Sequence, residues 1–156
     1  MKLSTLQIFL LRIAIGALFL NLGLEKYHEG WLSNPQPLTA SLQKYFEHAG
    51  GMELKYLTSI AIPYAPVWAR LMTIGELAIG ASFLLGLLTR FSAGVALFMI
   101  LNFHAANGLL FGWGFFGSPY AALLFSGLLA CFLARAGRWV GVDWWLAGIN
   151  PKSWWW

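Results

Sequence analysis

Four long apolar stretches, at residues 5–24, 64–88, 91–110 and 118–134, constrain this chain more than any other feature in it. Each is close to the roughly 20 residues that a helix needs to cross a hydrocarbon layer of about 30 Å. Such a layer holds no water, so backbone N–H and C=O groups must bond within their own segment, and stretches without strand alternation do so as α-helix. The expected fold is all-α, an integral membrane four-helix bundle forming a single membrane domain over residues 1–156. Composition agrees with this: 10% of residues are charged and 59% are hydrophobic, against roughly 25% charged in a soluble domain. A water-facing enzyme and a disordered chain are both excluded.

The charges set an orientation. Residues 25–63 carry Lys26, Lys44 and Lys55 against Glu25, Glu29, Glu47 and Glu53, whereas Lys2, Arg90, Arg135, Arg138 and Lys152 face only Asp143 on the other side. The positive-inside rule makes both termini cytoplasmic and the first loop external. The net charge of +4 is thus a matter of topology, and nucleic acid is not an expected partner because the cations form no patch. Arg12 interrupts the first apolar run and no small-x-small site follows it, so that run reads as a retained anchor, which in a bacterium would lie in the inner membrane.

The outer loop, 25–63, is too long for a plain connection. Leu38, Leu42, Tyr45, Phe46 and Ala49 recur at helical spacing opposite Gln43, Lys44 and Glu47, which predicts a short amphipathic helix on the outer interface. A second short helical stretch is expected over 52–62. The tail, 135–156, carries six of the nine tryptophans and is expected to lie along the inner interface. Two stripes of small residues, Ala78/Ser82/Gly86 and Ala122/Ser126/Ala130, are expected to let helices approach closely.

Arg12, Arg70 and Glu76 are ionisable residues inside the spans, where each must pair or face a polar cavity. Helical rise places Arg12 about 10 Å and Glu76 about 18 Å from the cytoplasmic edge, with Asn102 and His104 at about 17 and 20 Å. Arg12 is expected to pair with Glu76. Asn102 and His104 lie on nearly opposite faces, so one of them, His104, is expected to join the pair. Thr73 and Gly80 share the Glu76 face. Arg70, about 27 Å deep, is assigned to an outer polar cluster with Glu25 and Lys26. Two readings remain open for the inner set. One is an ion pair that fixes helix register. The other is a site in which Arg12 and His104 donate to an oxyanion or quinone carbonyl and Glu76 accepts a proton.

One cysteine, Cys131, allows no internal disulfide and no thiolate cage. His104 is the only histidine in a span, so bis-His haem ligation is not available within one chain. No haem or metal is expected. There is also no glycine-rich phosphate motif and no Ser/His/Asp arrangement.

Three short motifs resemble the DoxX-like family. They are Leu11-Arg12-Ile13 with Gly16 and the Gly23-Leu24-Glu25-Lys26 exit; Gly75-Glu76-Leu77 with Gly80 and the exit Leu85 to Arg90; and Gly137-Arg138-Trp139 followed by Asp143. The resemblance implies a bacterial or archaeal four-helix inner-membrane protein related to DoxD-type subunits of thiosulfate:quinone oxidoreduction. It marks Arg12, Glu76, Arg90, Arg138 and Asp143 as motif positions and implies quinone as the cofactor. The expected function is that of a membrane subunit acting on quinone or a small sulfur species. A partner redox subunit and a homo-oligomer are both compatible with it. Two alternatives stand beside this reading: a non-catalytic accessory subunit of a larger respiratory complex, and a small anion transporter or channel.

Overall fold

The polar outer loop and the apolar stretches sort themselves into helices of two kinds. The computed structural model describes residues 3–108 and 118–155. In chain order it contains α1 (Leu3–His28), α2 (Gln36–Phe46), α3 (Gly51–Tyr56) running into a π-helical turn (Leu57–Ala61), α4 (Ala65–Leu85), α5 (Thr89–Ala106), α6 (Pro119–Ala134), a 3₁₀ turn (Ala136–Arg138) and α7 (Val142–Ile149). Among the described residues all regular structure is helical. Lys2, residues 109 and 110 of the third expected span, and Trp156 lie outside the described residues.

Two helical stretches, Thr5–His28 and Ala65–Leu85, are long and apolar enough to cross a membrane, and Pro119–Ala134 is a shorter apolar helix. The outward faces are apolar too. Leu10 on α1, Ile74 on α4, Phe98 on α5 and Leu123 on α6 are all more than half exposed, a pattern that suits lipid and not water. Inside, Ile15, Phe19, Ile79, Phe83, Ala93, Ala96 and Leu128 form the core shared by these four helices.

Glycines bring α1 and α4 together. A Cβ on Gly80 would lie 2.5 Å from the Leu20 nitrogen, one on Gly23 would lie 2.8 Å from the Leu77 nitrogen, and one on Gly16 would lie 2.9 Å from Phe83 Cβ. The small-residue stripes expected from sequence do not carry this approach. Ala78 and Ser126 are exposed, and the Ser82 hydroxyl is occupied with the Leu87 carbonyl and, at 2.7 Å, with Ser92. Ser82 thus ties α4 to α5 across their turn and takes no part in the approach of α1.

The expected amphipathic helix is α2. It buries Leu38 and Leu42 against Leu57, Ala61, Ala65 and Ala69, so the loop between the first two long helices folds back as a lid over the start of α4 and the end of α5. At the opposite end, α5 starts without a cap of its own, because its N-cap residue, Leu88, is apolar and left-handed. Asp143 supplies the cap from the tail: its carboxylate accepts Leu88 N–H at 2.6 Å, Thr89 N–H at 2.9 Å and the Thr89 hydroxyl at 2.6 Å. The Asp143 amide donates back to the Gly86 carbonyl at 2.8 Å.

Candidate functional site

Helix α4 places Thr73, Glu76 and Gly80 on one buried face, and α1, which stays helical past the expected exit at residue 24, carries Lys26 to the same level. The Lys26 ammonium donates to both Glu76 carboxylate oxygens, at 2.7 and 2.9 Å. It also sits 5.5 Å from the centre of the Trp31 ring. Glu76 is 6% exposed. A carboxylate so placed needs a cation held against it, and the glycine-mediated approach of α1 to α4 supplies one. The Thr73 hydroxyl returns to the Ala69 carbonyl at 2.9 Å.

The expected Arg12–Glu76 pair does not form. Arg12 is 2% exposed, and its Nη1 donates to the Ala136 carbonyl at 3.1 Å. The guanidinium lies beside Gly86 and Gly141, where a Cβ would come within 2.7 and 3.0 Å of Nη1. Antiparallel helices explain the difference: Glu76 and Gly86 are ten residues apart, or about 15 Å of helix, so the group opposite Arg12 is the end of α4 and not its middle. The chain also leaves α6 through a left-handed Arg135 and offers a carbonyl that the guanidinium can reach. The outer cluster is corrected by the same geometry. Lys26 turns inward to Glu76, Arg70 Nε donates to the Leu32 carbonyl at 3.1 Å, and Glu25 is exposed. Among the described residues no ion pair joins the three.

The pair opens onto a cavity of about 600 Å³ beneath the α2–α3 lid, bounded also by α1, α4, α5 and α6. Its wall is mostly apolar, with Phe19, Trp68, Met72 and Phe98 among the lining residues. Polar groups enter at a few points: Lys26 and Glu76, His104, Asn102 with Tyr56, and Tyr120. His104 is buried. Asn102 also reaches the wall, although the two side chains leave α5 on nearly opposite sides, because the cavity wraps from the helix interface to the underside of the lid. The Tyr56 hydroxyl donates to the Asn102 side-chain oxygen and ties lid to bundle. Burial pushes the Tyr56 phenol above its ordinary range.

The remaining motif residues gather at the far end. Asp143 is fully buried as the cap of α5. The Arg90 guanidinium carbon lies 4.9 Å from the ring centres of both Phe132 and Trp154, which meet each other edge-to-face, and Arg138 Nη2 donates to the Pro151 carbonyl at 3.1 Å. Asp143 clasps the tail to the α4–α5 turn.

The residues missed from sequence are Tyr56, Tyr120, Trp31 and Lys26 as the partner of Glu76. For Lys26 a signal existed, since it shares the α1 face of Gly16 and Gly23. The tyrosines had no signal, because a tyrosine in an apolar or interfacial stretch is ordinary there. Among the described residues no group of three or more His, Cys, Asp or Glu side chains is placed to hold a metal ion.

A family model described as DoxX matches residues 7–106. That stretch runs from α1 to the end of α5 and holds Lys26, Glu76, Asn102 and His104. The Arg138 and Asp143 motif lies beyond it. No curated protein and no solved structure matches the chain.

Proposed function

The chain belongs to the DoxX family of membrane proteins, and we propose that it is a quinone-linked redox subunit whose site is the cavity beside Lys26 and Glu76. Its four long helices cross the inner membrane as one domain, with both termini cytoplasmic and the lid outside. A second protein of a redox complex, related in role to thiosulfate:quinone oxidoreductases, delivers the electrons. The observation that carries this reading is a buried ion pair facing a cavity of about 600 Å³. That size lies within the range of small-molecule sites, and an apolar wall with a few convergent polar groups is their usual lining.

The residues present suit a quinone headgroup. Two of the three Lys26 ammonium hydrogens go to Glu76, which leaves one donor for a carbonyl oxygen. His104 and Tyr120 stand at other points of the same wall, and the apolar surface between them accepts a ring and the start of an isoprenoid chain. When bound, the quinone supplies a two-electron, two-proton acceptor. Glu76 is the group that can hold a proton and pass it inward, and Lys26 steadies the carboxylate when that proton leaves.

Glu76→Gln tests this reading. The variant leaves Lys26 without its counter-charge and is expected to be less stable; the folded fraction is expected to bind short-chain quinone while losing at least ten-fold in quinone-linked turnover, since a single positioned acid–base group contributes roughly 10²–10⁴-fold. Unchanged turnover would remove Glu76 from the mechanism.

A further inference from the structure

The end of α1 folds one side chain back over the cation that precedes it. Gly30 takes φ of 78°, the left-handed conformation that closes a helix. The Trp31 N–H then donates to the Lys26 carbonyl at 3.1 Å, and the Gly30 N–H to the Tyr27 carbonyl at 3.1 Å. These two bonds make a Schellman cap, in which the residue after the left-handed glycine meets the side chain five residues before it. Here the two are Trp31 and Lys26, and the contact is a ring against an ammonium, with Nζ 5.5 Å from the ring centre. A further bond fixes the indole, whose Nε1–H donates to Glu29 at 2.7 Å. The ring packs against the lid cluster that holds Leu38 and Leu42, and it lines the cavity together with Lys26 and Glu76.

The position of Lys26 calls for such a clamp. Helix α1 ends at His28, two residues on, and a lysine near the end of a spanning helix ordinarily extends its ammonium to the interface. Glu25 and Glu29, both exposed, would draw it the same way. Instead the Lys26 side chain is 15% exposed and bonds both oxygens of Glu76. Desolvation offsets much of the attraction within a buried pair, so Glu76 alone competes poorly with water and two outer carboxylates. A ring over a desolvated cation tips that balance inward.

We propose that Trp31 is a positioning residue of this site: by covering the ammonium with its ring and engaging Glu29 with its N–H, it keeps Lys26 turned onto Glu76 and away from the outer water. The inference rests on the quinone reading for its functional meaning, and its test does not need quinone.

The test uses the full chain in lipid nanodiscs, treated with the water-soluble acylating reagent sulfosuccinimidyl acetate and read lysine by lysine by peptide mass spectrometry. Lys44 and Lys55, exposed in the same loop, are the references. Wild-type Lys26 is expected to react more slowly than either. Trp31→Leu fills space without a ring and should raise the relative rate at Lys26 about fivefold, the ratio that a cation–π contact is worth. Trp31→Phe restores a ring without the N–H and should stay closer to wild type than to Trp31→Leu. Should Trp31→Leu not fold, Trp31→Met, equally ringless, takes its place. A role limited to filling space would be met by leucine as well as by phenylalanine. Equal Lys26 rates in Trp31→Leu and Trp31→Phe, or a wild-type Lys26 as reactive as Lys44, would therefore overturn the inference. Short-chain quinone binding is measured on the same samples, and a wild type that does not bind it removes the quinone reading while the Lys26 result stands.

Discussion

Lys26 and Glu76 illustrate how an apolar setting turns two ordinary side chains into a unit. At 2.7 Å and with little exposure on either side, neither charge is tolerable without the other, and truncating one partner of such a pair typically costs about 3–5 kcal/mol. Lys26→Met is therefore expected to lower the thermal unfolding temperature in detergent more than the double variant Lys26→Met/Glu76→Leu, in which no charge is stranded. Equal losses would mean that the two side chains act separately. Arg12 shows the limit of depth arithmetic. Its depth and that of Glu76 are each readable from helical rise, but the carbonyl of Ala136 that it bonds lies 124 residues away in the chain. A backbone acceptor carries no signature in sequence.

Elements were more legible than their partners. The helices announce themselves by hydropathy, and α2 by the spacing of Leu38 and Leu42, which are indeed buried. The interface between α1 and α4 was half legible: Gly16, Gly23 and Gly80 stood on the faces of the charged residues, while the Ala78 and Ser126 stripes misled because small residues face lipid as readily as protein. The distinction has a measurable consequence. Gly80→Ala forces a Cβ to within 2.5 Å of the Leu20 backbone and should cost roughly 1–3 kcal/mol, as overpacking does. Gly148→Ala, with nothing within 4 Å of the added carbon, should be neutral or stabilising by up to about 1 kcal/mol. Unfolding temperatures of the two variants in one detergent check the contrast, and a Gly80→Ala protein as stable as wild type would show that α1 and α4 separate at little cost. The α5 cap belongs with the illegible part, since Asp143 acts 54 residues from Thr89.

At the scale of the whole molecule, the fold divides its polar chemistry between two ends. Near the lid, α1 and α4 hold the Lys26–Glu76 pair against a cavity covered on one side by α2 and α3 and walled in part by His104 and Tyr120. At the tail, Asp143 joins the last helix to the α4–α5 turn, while Arg12 holds the Ala136 carbonyl, Arg90 meets Trp154 and Arg138 holds the Pro151 carbonyl. A sequence reading that merges these ends into one midplane site mistakes buried charge for shared location. The separation makes the central claim, a quinone seated beside Lys26 and Glu76, open to direct mapping. Photolabelling of the reconstituted chain with a short-chain azidoquinone, followed by peptide mass spectrometry, measures it. The account predicts label on α1 near Lys26, on α4 near Glu76 and on α5 near His104, competed away by unlabelled quinone. Label confined to the tail or to outward residues such as Ile74 and Leu123, and indifferent to competition, would contradict it.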